Sequence, residues 1–254
     1  MSLPPAASSS GCTILAWDSD FFGLRIARFA GPCYTRADSD ATLQFCADHG
    51  IDCVYILLDA ADASSIATAQ DGGARFIELR TTFEAPLQAS ADLAGLPDGE
   101  GEIRPAAQRD LPAMRALAAA SHRDTRFYAD PHFETHRVDL LYQTWIEKSW
   151  RGYADAVFAF ELAGEAAGYV TCHLDDGVTG RIGLIAVRQD LRGRGVGIRL
   201  LRVARDWFTR AGCRAWTVAT QGSNVPALRL YQNFGFRTSA VQVWLHLWPH
   251  RSGA

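Results

Sequence analysis

Read by the spacing of its apolar positions, the chain falls into two stretches on either side of residues 89–101, ASADLAGLPDGEG. That run is small, acidic and Gly-rich with one Pro, the composition of a linker. Before it, CVYILL (53–58) is a continuous apolar run of strand length, and RFIELRTTF (75–83) is a second strand candidate. Leu43, Cys46 and Ala47 fall at helical spacing within residues 40–49, and Gly50 follows as a C-cap signal. Three or four such elements predict a small α/β sheet that leans on the rest of the chain.

After the linker the periodicities sharpen. Asp110 is placed to cap a helix whose inner face is Leu111, Met114, Leu117 and Ala118. Val138, Leu141, Tyr142, Trp145 and Ile146 mark a second amphipathic helix. VFAFEL (157–162), a turn at AGEA and AGYVTCHL (167–174) predict a β-hairpin. RIGLIAV (181–187) is nearly all apolar, the pattern of a strand buried on both faces. Residues 196–211 read as a helix with Leu200, Leu201, Ala204, Trp207 and Phe208 inward. AWTVAT (215–220) is a strand, VPALRLYQNF (225–234) a short helix and VQVWLHLW (241–248) a last strand. The expected organisation is a tail at 1–11, a truncated α/β domain at 12–90, a linker at 91–101 and a second α/β domain at 102–250, ordered α α β β β α β α β.

Composition narrows the class. The 254 residues are 48% hydrophobic and 21% charged, ordinary for a globular chain. The net charge is -3 and no Lys or Arg run forms a basic stripe, so neither nucleic acid nor an anionic membrane is an expected partner. MSLPPAASSSG has no basic or apolar region of a secretory signal and reads as a flexible tail. No apolar run approaches the ~20 residues of a membrane span, so a soluble cytoplasmic protein is expected. Cysteines 12, 33, 46, 53, 172 and 213 form no CxxC pair and read mostly as buried free thiols. No metal site is expected, because no ligands cluster.

The stretch that carries chemistry is IGLIAVRQDLRGRGVGIRLL (182–201). A strand leads through Arg192-Gly193-Arg194-Gly195-Val196-Gly197 into an amphipathic helix. Glycines let backbone N–H groups approach an anion, and the helix start adds unpaired donors and partial positive charge. With Arg192 and Arg194 beside it, this is a pyrophosphate cradle. A Walker loop is excluded, because it needs GKS or GKT; the dinucleotide fingerprint is disfavoured, because it needs GxGxxG within a βαβ unit. A plain Gly-rich turn with surface arginines is the bland alternative.

R-x-x-G-x-G after a strand, the later block Asn224…Ala227…Leu230-Tyr231…Gly235-Phe236, and the element order of 102–248 together resemble the GNAT superfamily of N-acetyltransferases. The resemblance implies a mixed α/β GNAT fold with a splayed central sheet flanked by helices, and acetyl-CoA as cosubstrate. It implies that Leu184, Ile185, Ala186 and Val187 run beside the pantetheine arm. Arg192, Gly193, Arg194, Gly195, Val196 and Gly197 would surround the pyrophosphate, and Asn224 would contact CoA as well as capping its helix. Tyr231 would be the general acid: a tyrosine with pKa ~10 is protonated at pH 7 and can protonate the departing thiolate.

WDSDFFG (17–23), TRFYADPHF (125–133), LYQTWIEKSWRG (141–152), RIGLIA (181–186) and TVATQGSN (217–224) further resemble members of that family that acetylate the 4-amino group of a TDP-linked 4-amino-4,6-dideoxygalactose and also have a truncated first domain. This implies a small-molecule substrate, an amino sugar nucleotide, with a homodimer as the expected assembly. Arg126, Phe127 and Tyr128 are candidates for gripping it, the alternative being loop packing. Trp17, Phe21 and Phe22 are expected to anchor the first domain. RIGLIAV has no carboxylate where some relatives keep a base, which leaves His173, Asp175, Asp176 or a water relay. Other amines (a protein N-terminus, an aminoglycoside, a polyamine) and a non-catalytic CoA-binding module are the alternatives.

Overall fold

A computed structural model describes residues 11–87 and 100–249. The expected tail, apart from Gly11, and most of the expected linker lie outside the described residues. In chain order the elements are β1 (Cys12–Ile14), α1 (Ala16–Phe22), β2 (Ile26–Phe29), α2 (Arg36–His49), β3 (Cys53–Asp59), α3 (Ala63–Asp71) and β4 (Arg75–Pro86). Then come β5 (Glu102–Pro105), α4 (Leu111–Ser121), α5 (Arg126–Ala129), α6 (Thr135–Lys148), β6 (Ala156–Leu162), β7 (Glu165–Asp175) and β8 (Thr179–Val187). The last are α7 (Val196–Arg210), β9 (Ala215–Gln221), α8 (Val225–Phe234) and β10 (Arg237–Leu247).

The ten strands of the described residues join one mixed sheet, in the order β1-β2-β3-β10-β4-β9-β8-β7-β6-β5. The first stretch does not merely lean on the second. β4 is inserted between β10 and β9, and β10 pairs β3 on its other edge. The sheet therefore runs unbroken through both stretches. β2–β3 and β8–β9 are parallel pairs; the other ladders are antiparallel.

Alternation along each strand divides the side chains between two faces. One face packs α7 and α8 through Val170, Cys172, Ile182, Val218, Leu200, Leu201, Ala204 and Phe208. On the same side, α2 and α3 cover Val54, Ile56 and Leu58. The opposite face carries α1, α4, α5 and α6 through Phe22, Tyr55, Met114, Leu141, Ile146 and Tyr169. The Trp17-Phe21-Phe22 segment does join the two stretches: Phe22 stacks on Phe127 at 5.5 Å and meets Phe133 at 4.7 Å, and Arg137 donates to the Phe21 carbonyl at 2.9 Å.

Several local expectations change. α2 starts at Arg36, because Thr35 and Asp38 form a reciprocal capping box. Asp110 does not cap α4 with its side chain. It lies in a 3-10 turn, accepts from the Ala107 amide at 2.7 Å and holds Arg104 through two hydrogen bonds. β8 is not buried on both faces: only Gly180, Ile182 and Ala186 are buried, and Gly183 is exposed. All six cysteines are free thiols, and five are buried; Cys33 is exposed. Among the described residues no helix is long and apolar enough to cross a membrane.

Candidate active site

The site begins where two parallel strands part. β8 and β9 pair from Thr179↔Ala215 to Ile182↔Val218 and no further. Beyond that point β8 continues against β7 and β9 against β4. A cleft of about 710 Å³ opens between them.

A bulge drives the separation. Val170 pairs with Ile185, yet Cys172 pairs with Ile182, so Gly183 and Leu184 together face Thr171. Such an extra residue bends its strand. The Leu184 amide is satisfied by Thr171 Oγ1 at 2.8 Å. A Cβ at 183 would stand 2.4 Å from His173 Nε2, so any side chain there requires His173 to move.

Past the bulge, ladder geometry sets the direction of the backbone. Arg188 N donates to Ala167 O, which makes that opposed pair a hydrogen-bonded one. Alternation in an antiparallel ladder makes Ala186–Tyr169 the next such pair. The N–H and C=O groups of Ile185 and Val187 consequently point away from β7, toward the cleft. Arg192 Nε already donates to the Val187 carbonyl at 3.1 Å.

At the mouth, Gly193 (φ 75°) and Gly195 (φ 81°) hold left-handed conformations, and a Cβ on either would meet open space. Gly195 is the N-cap of α7 and brings no side-chain acceptor, so the first-turn amides stay available. Gly197 serves packing too: its missing Cβ lets Leu230 of α8 come within 3.1 Å of that position. Val196 points into the core and Arg194 lies outside the cleft lining, whereas Arg192 lines it.

α8 supplies the remaining wall. Asn224 Oδ1 caps the helix by accepting from the Ala227 amide at 3.2 Å, and the residue also lines the cleft. Tyr231 lines it as well, 3% exposed, with Phe83 and Phe236 at ring separations of 5.6 and 5.8 Å. Burial pushes its hydroxyl above the ordinary tyrosine range. The opposite wall includes His122, Thr125, Tyr142 and Trp145. His122 Nε2 lies 3.0 Å from the Tyr169 hydroxyl, and burial holds that imidazole neutral with its pKa pushed down to about 4.

Leu184, Ile185, Ala186, Val187, Arg192, Gly193, Gly195, Gly197, Asn224 and Tyr231 therefore share one cleft. The expected substrate side is rearranged. Phe127 is 2% exposed within an aromatic cluster, and the Tyr128 hydroxyl donates to Asp139 at 2.6 Å; neither lines the cleft. His173 packs under Gly183 beside Thr171. Asp175 pairs with Arg181 at 2.7 Å, and Asp176 accepts from turn amides at the far end of the hairpin from the split. These carboxylates are thus used structurally.

A carboxyl that sequence reading passed over is Glu78 on β4. Its Oε2 is buried without a hydrogen-bond partner among the described residues. Burial, only partly offset by Arg126, pushes its pKa up to about 7. The signal was its place between Ile77 and Leu79 in a strand, an acid on a half-buried face. Among the described residues no three His, Cys, Asp or Glu side chains gather as metal ligands.

A strand pair split beside a glycine-rich helix start offers an edge for an added extended ligand and a site for an anion at its mouth. Residues 114–236 match the model of the Acetyltransferase (GNAT) family. The chain is 28% identical over 235 residues to a dTDP-fucosamine acetyltransferase of Escherichia coli O6:H1, covering 91% of this chain and 96% of that protein. It is 28% identical over 155 residues to the spore coat polysaccharide biosynthesis protein SpsD of Bacillus subtilis, covering 58% of this chain and 51% of that one. A GCN5-related N-acetyltransferase from Sphaerobacter thermophilus shares the fold with a TM-score of 0.64 at 17% identity, over 96% of this chain and 77% of that one. The chain carries a GNAT acetyltransferase domain and is an acyl-CoA-dependent N-acetyltransferase, a family whose cosubstrate is acetyl-CoA.

Proposed function

We propose that the protein moves the acetyl group of acetyl-CoA to the primary amine of a nucleotide-linked amino sugar, the 4-amino group of a TDP-linked 4-amino-4,6-dideoxyhexose. The observation that carries the reading is the near end-to-end similarity to a dTDP-fucosamine acetyltransferase, supported by the spore coat polysaccharide relative. The β8–β9 split, with Tyr231 in its wall, suits direct transfer in a ternary complex.

In this reading the pantetheine arm lies along the free edge of Ile185 and Val187 as an added strand. The amide N–H groups of that edge polarise the thioester carbonyl and hold its developing oxyanion. The neutral amine attacks the carbonyl carbon, the C–S bond breaks, and the Tyr231 hydroxyl protonates the thiolate. The amine's own proton leaves through water toward Glu78 on β4, which lies outside the cleft lining and whose carboxyl burial pushes up to about 7. The cradle at Gly193 and Gly195 takes the CoA pyrophosphate on the α7 amides.

The test is thiol release from acetyl-CoA against a panel of acceptors, with the acetylated product identified by mass. The TDP-linked 4-amino sugar is expected to turn over far faster than spermidine, an aminoglycoside or a peptide N-terminus. A clear preference for any of those three overturns the sugar-nucleotide reading.

A further inference from the structure

Strand register gathers positive charge on one patch of the sheet, next to the split. Arg28 on β2 is opposite Tyr55 on β3, Trp244 on β10 is opposite Glu78 on β4, and Arg80 lies between Gln242 of β10 and Gln221 of β9. Opposed residues share a face, so these side chains all rise on the side that carries α1, α5 and α6. Gln221 also lines the acetyl-transfer cleft, so the patch and the cleft are continuous.

Arg126, at the start of α5, completes the patch from above. Its guanidinium carbon stands 4.0 Å from the Tyr55 ring centre and 4.2 Å from that of Trp244; Arg28 approaches the other side of the patch at 5.9 Å from Trp244. The hydrogen-bond partners that fix these side chains are neutral. Arg80 Nη1 donates to Gln242 Oε1 at 3.2 Å, and Arg126 Nη1 donates to His246 Nε2 at 3.1 Å. His246 can accept because it is held neutral, with its Nδ1–H given to the buried Asp130 carboxylate at 2.6 Å. Trp248 Nε1 donates to the same carboxylate at 3.0 Å. A buried relay thus locks Arg126 in place through a neutral side-chain acceptor, while the carboxyls of Asp18 and Glu78 also face it.

None of the ion pairs among the described residues uses Arg28, Arg80 or Arg126. Arg28 is exposed, and two polar atoms at the edge of the patch, Tyr55 Oη and Glu78 Oε2, are buried without a partner among the described residues. Three guanidiniums face two carboxyls, Asp18 and the largely desolvated Glu78, so the cluster keeps surplus positive charge, and its aromatic rings and neutral acceptors preorganise it for an anion with more than one charge.

We propose that Arg28, Arg80 and Arg126 form the receptor for the diphosphate of the acceptor substrate, separate from the glycine-rich cradle that takes the CoA pyrophosphate. The assignment rests on the nucleotide-linked acceptor of the preceding section. It explains how such a substrate is oriented: the diphosphate docks on the patch and the amino group reaches across β4 and β9, about 4.8 Å apart, into the split.

The experiment measures binding directly, without turnover. Calorimetric titration of the full-length protein with thymidine diphosphate, inorganic pyrophosphate and thymidine separates the phosphate contribution from the base. Thymidine diphosphate and pyrophosphate are expected to bind, thymidine to bind far more weakly, and affinity to fall as salt rises. Arg28→Gln and Arg80→Gln should each weaken thymidine diphosphate about tenfold or more. The exposed control Arg36→Gln should leave it unchanged. In kinetics, each patch variant should raise the acceptor KM while leaving the acetyl-CoA KM near the parent's. Thymidine diphosphate binding as tightly to the Arg28→Gln/Arg80→Gln double variant as to the parent overturns the assignment. So does competition of thymidine diphosphate with acetyl-CoA instead of with the acceptor. Arginine-dependent diphosphate binding with no acetylation of nucleotide sugars supports the receptor and sinks the transfer reading instead.

Discussion

The hydroxyl of Thr171 accepts the Leu184 amide at 2.8 Å inside the bulge that parts β8 from β9. Both groups sit where ordinary ladder pairing has failed, and Thr171 is fully buried. Thr171→Val keeps the side-chain shape and removes the acceptor. An amide left unsatisfied in a buried setting costs about 1–3 kcal/mol. Denaturant melts should show a loss of that size, and turnover should fall because the edge at Ile185 and Val187 shifts. Parent-like stability together with parent-like turnover would show that the bulge does not need this hydrogen bond.

Glu78 gives the protein a pH signature. Its pKa is about 7 when folded against an ordinary 4.5, so the folded state binds more protons than the unfolded one between those values. Stability from this group is therefore intact below about pH 4.5 and declines as pH rises toward 7 and beyond. Glu78→Gln removes the titration. The variant should match the parent at pH 4 and exceed it at pH 8, by at most ~3 kcal/mol at about 1.36 kcal/mol per pKa unit. If Glu78 takes the amine proton, the variant should also lose the acidic limb of kcat/KM near pH 7, with turnover down ~10²–10⁴-fold. An unchanged limb would assign the proton elsewhere.

How much of this was legible in the sequence depends on the range of the interaction. The hairpin, α7, β9 and α8 were readable because each carries its own period and punctuation, as at the Ala163-Gly164 turn and the Gly235 C-cap. The glycine-rich start of α7 was readable because its residues are contiguous. β1, β2 and β5 are three or four residues long and carry no period of their own. β10 starts at Arg237, four residues before its apolar run, because polar residues there are paired to β4. Asp110 looked like a cap and is instead the partner of Arg104, a contact that local patterning does not encode. Arg28, Glu78, Arg80 and Trp244 lie on three strands up to 216 positions apart in the numbering and meet only through sheet register.

Gly195 tests the cradle. Its φ of 81° strains any L-residue, and a side chain there projects into open space at the start of α7. Gly195→Asn and Gly195→Asp share that backbone cost, and only the second adds a negative charge. Both should melt somewhat below the parent without ligand. Acetyl-CoA at a hundredfold excess over its Kd should stabilise the parent by about 2.7 kcal/mol. Gly195→Asp should lose that shift and Gly195→Asn should retain more of it. An Asp variant that binds acetyl-CoA like the parent would remove the cradle from this loop.

Tyr231 is the group to which proton delivery is assigned. It sits seven residues after the helix-capping Asn224 and four before the C-cap Gly235, so one short helix sets its place in the cleft wall. Burial raises its pKa above the ordinary tyrosine range, which keeps the hydroxyl protonated through neutral pH. Tyr231→Phe preserves the ring contacts with Phe83 and Phe236 and removes only the hydroxyl. Acetyl-CoA affinity should change little. The turnover number should drop ~10²–10⁴-fold, the usual contribution of a placed general acid. That range is ~3–5 kcal/mol of transition-state stabilisation. Turnover within a few-fold of the parent would make water or another residue the acid. A large loss that tracks entirely with weaker acetyl-CoA binding would make Tyr231 a cosubstrate contact instead.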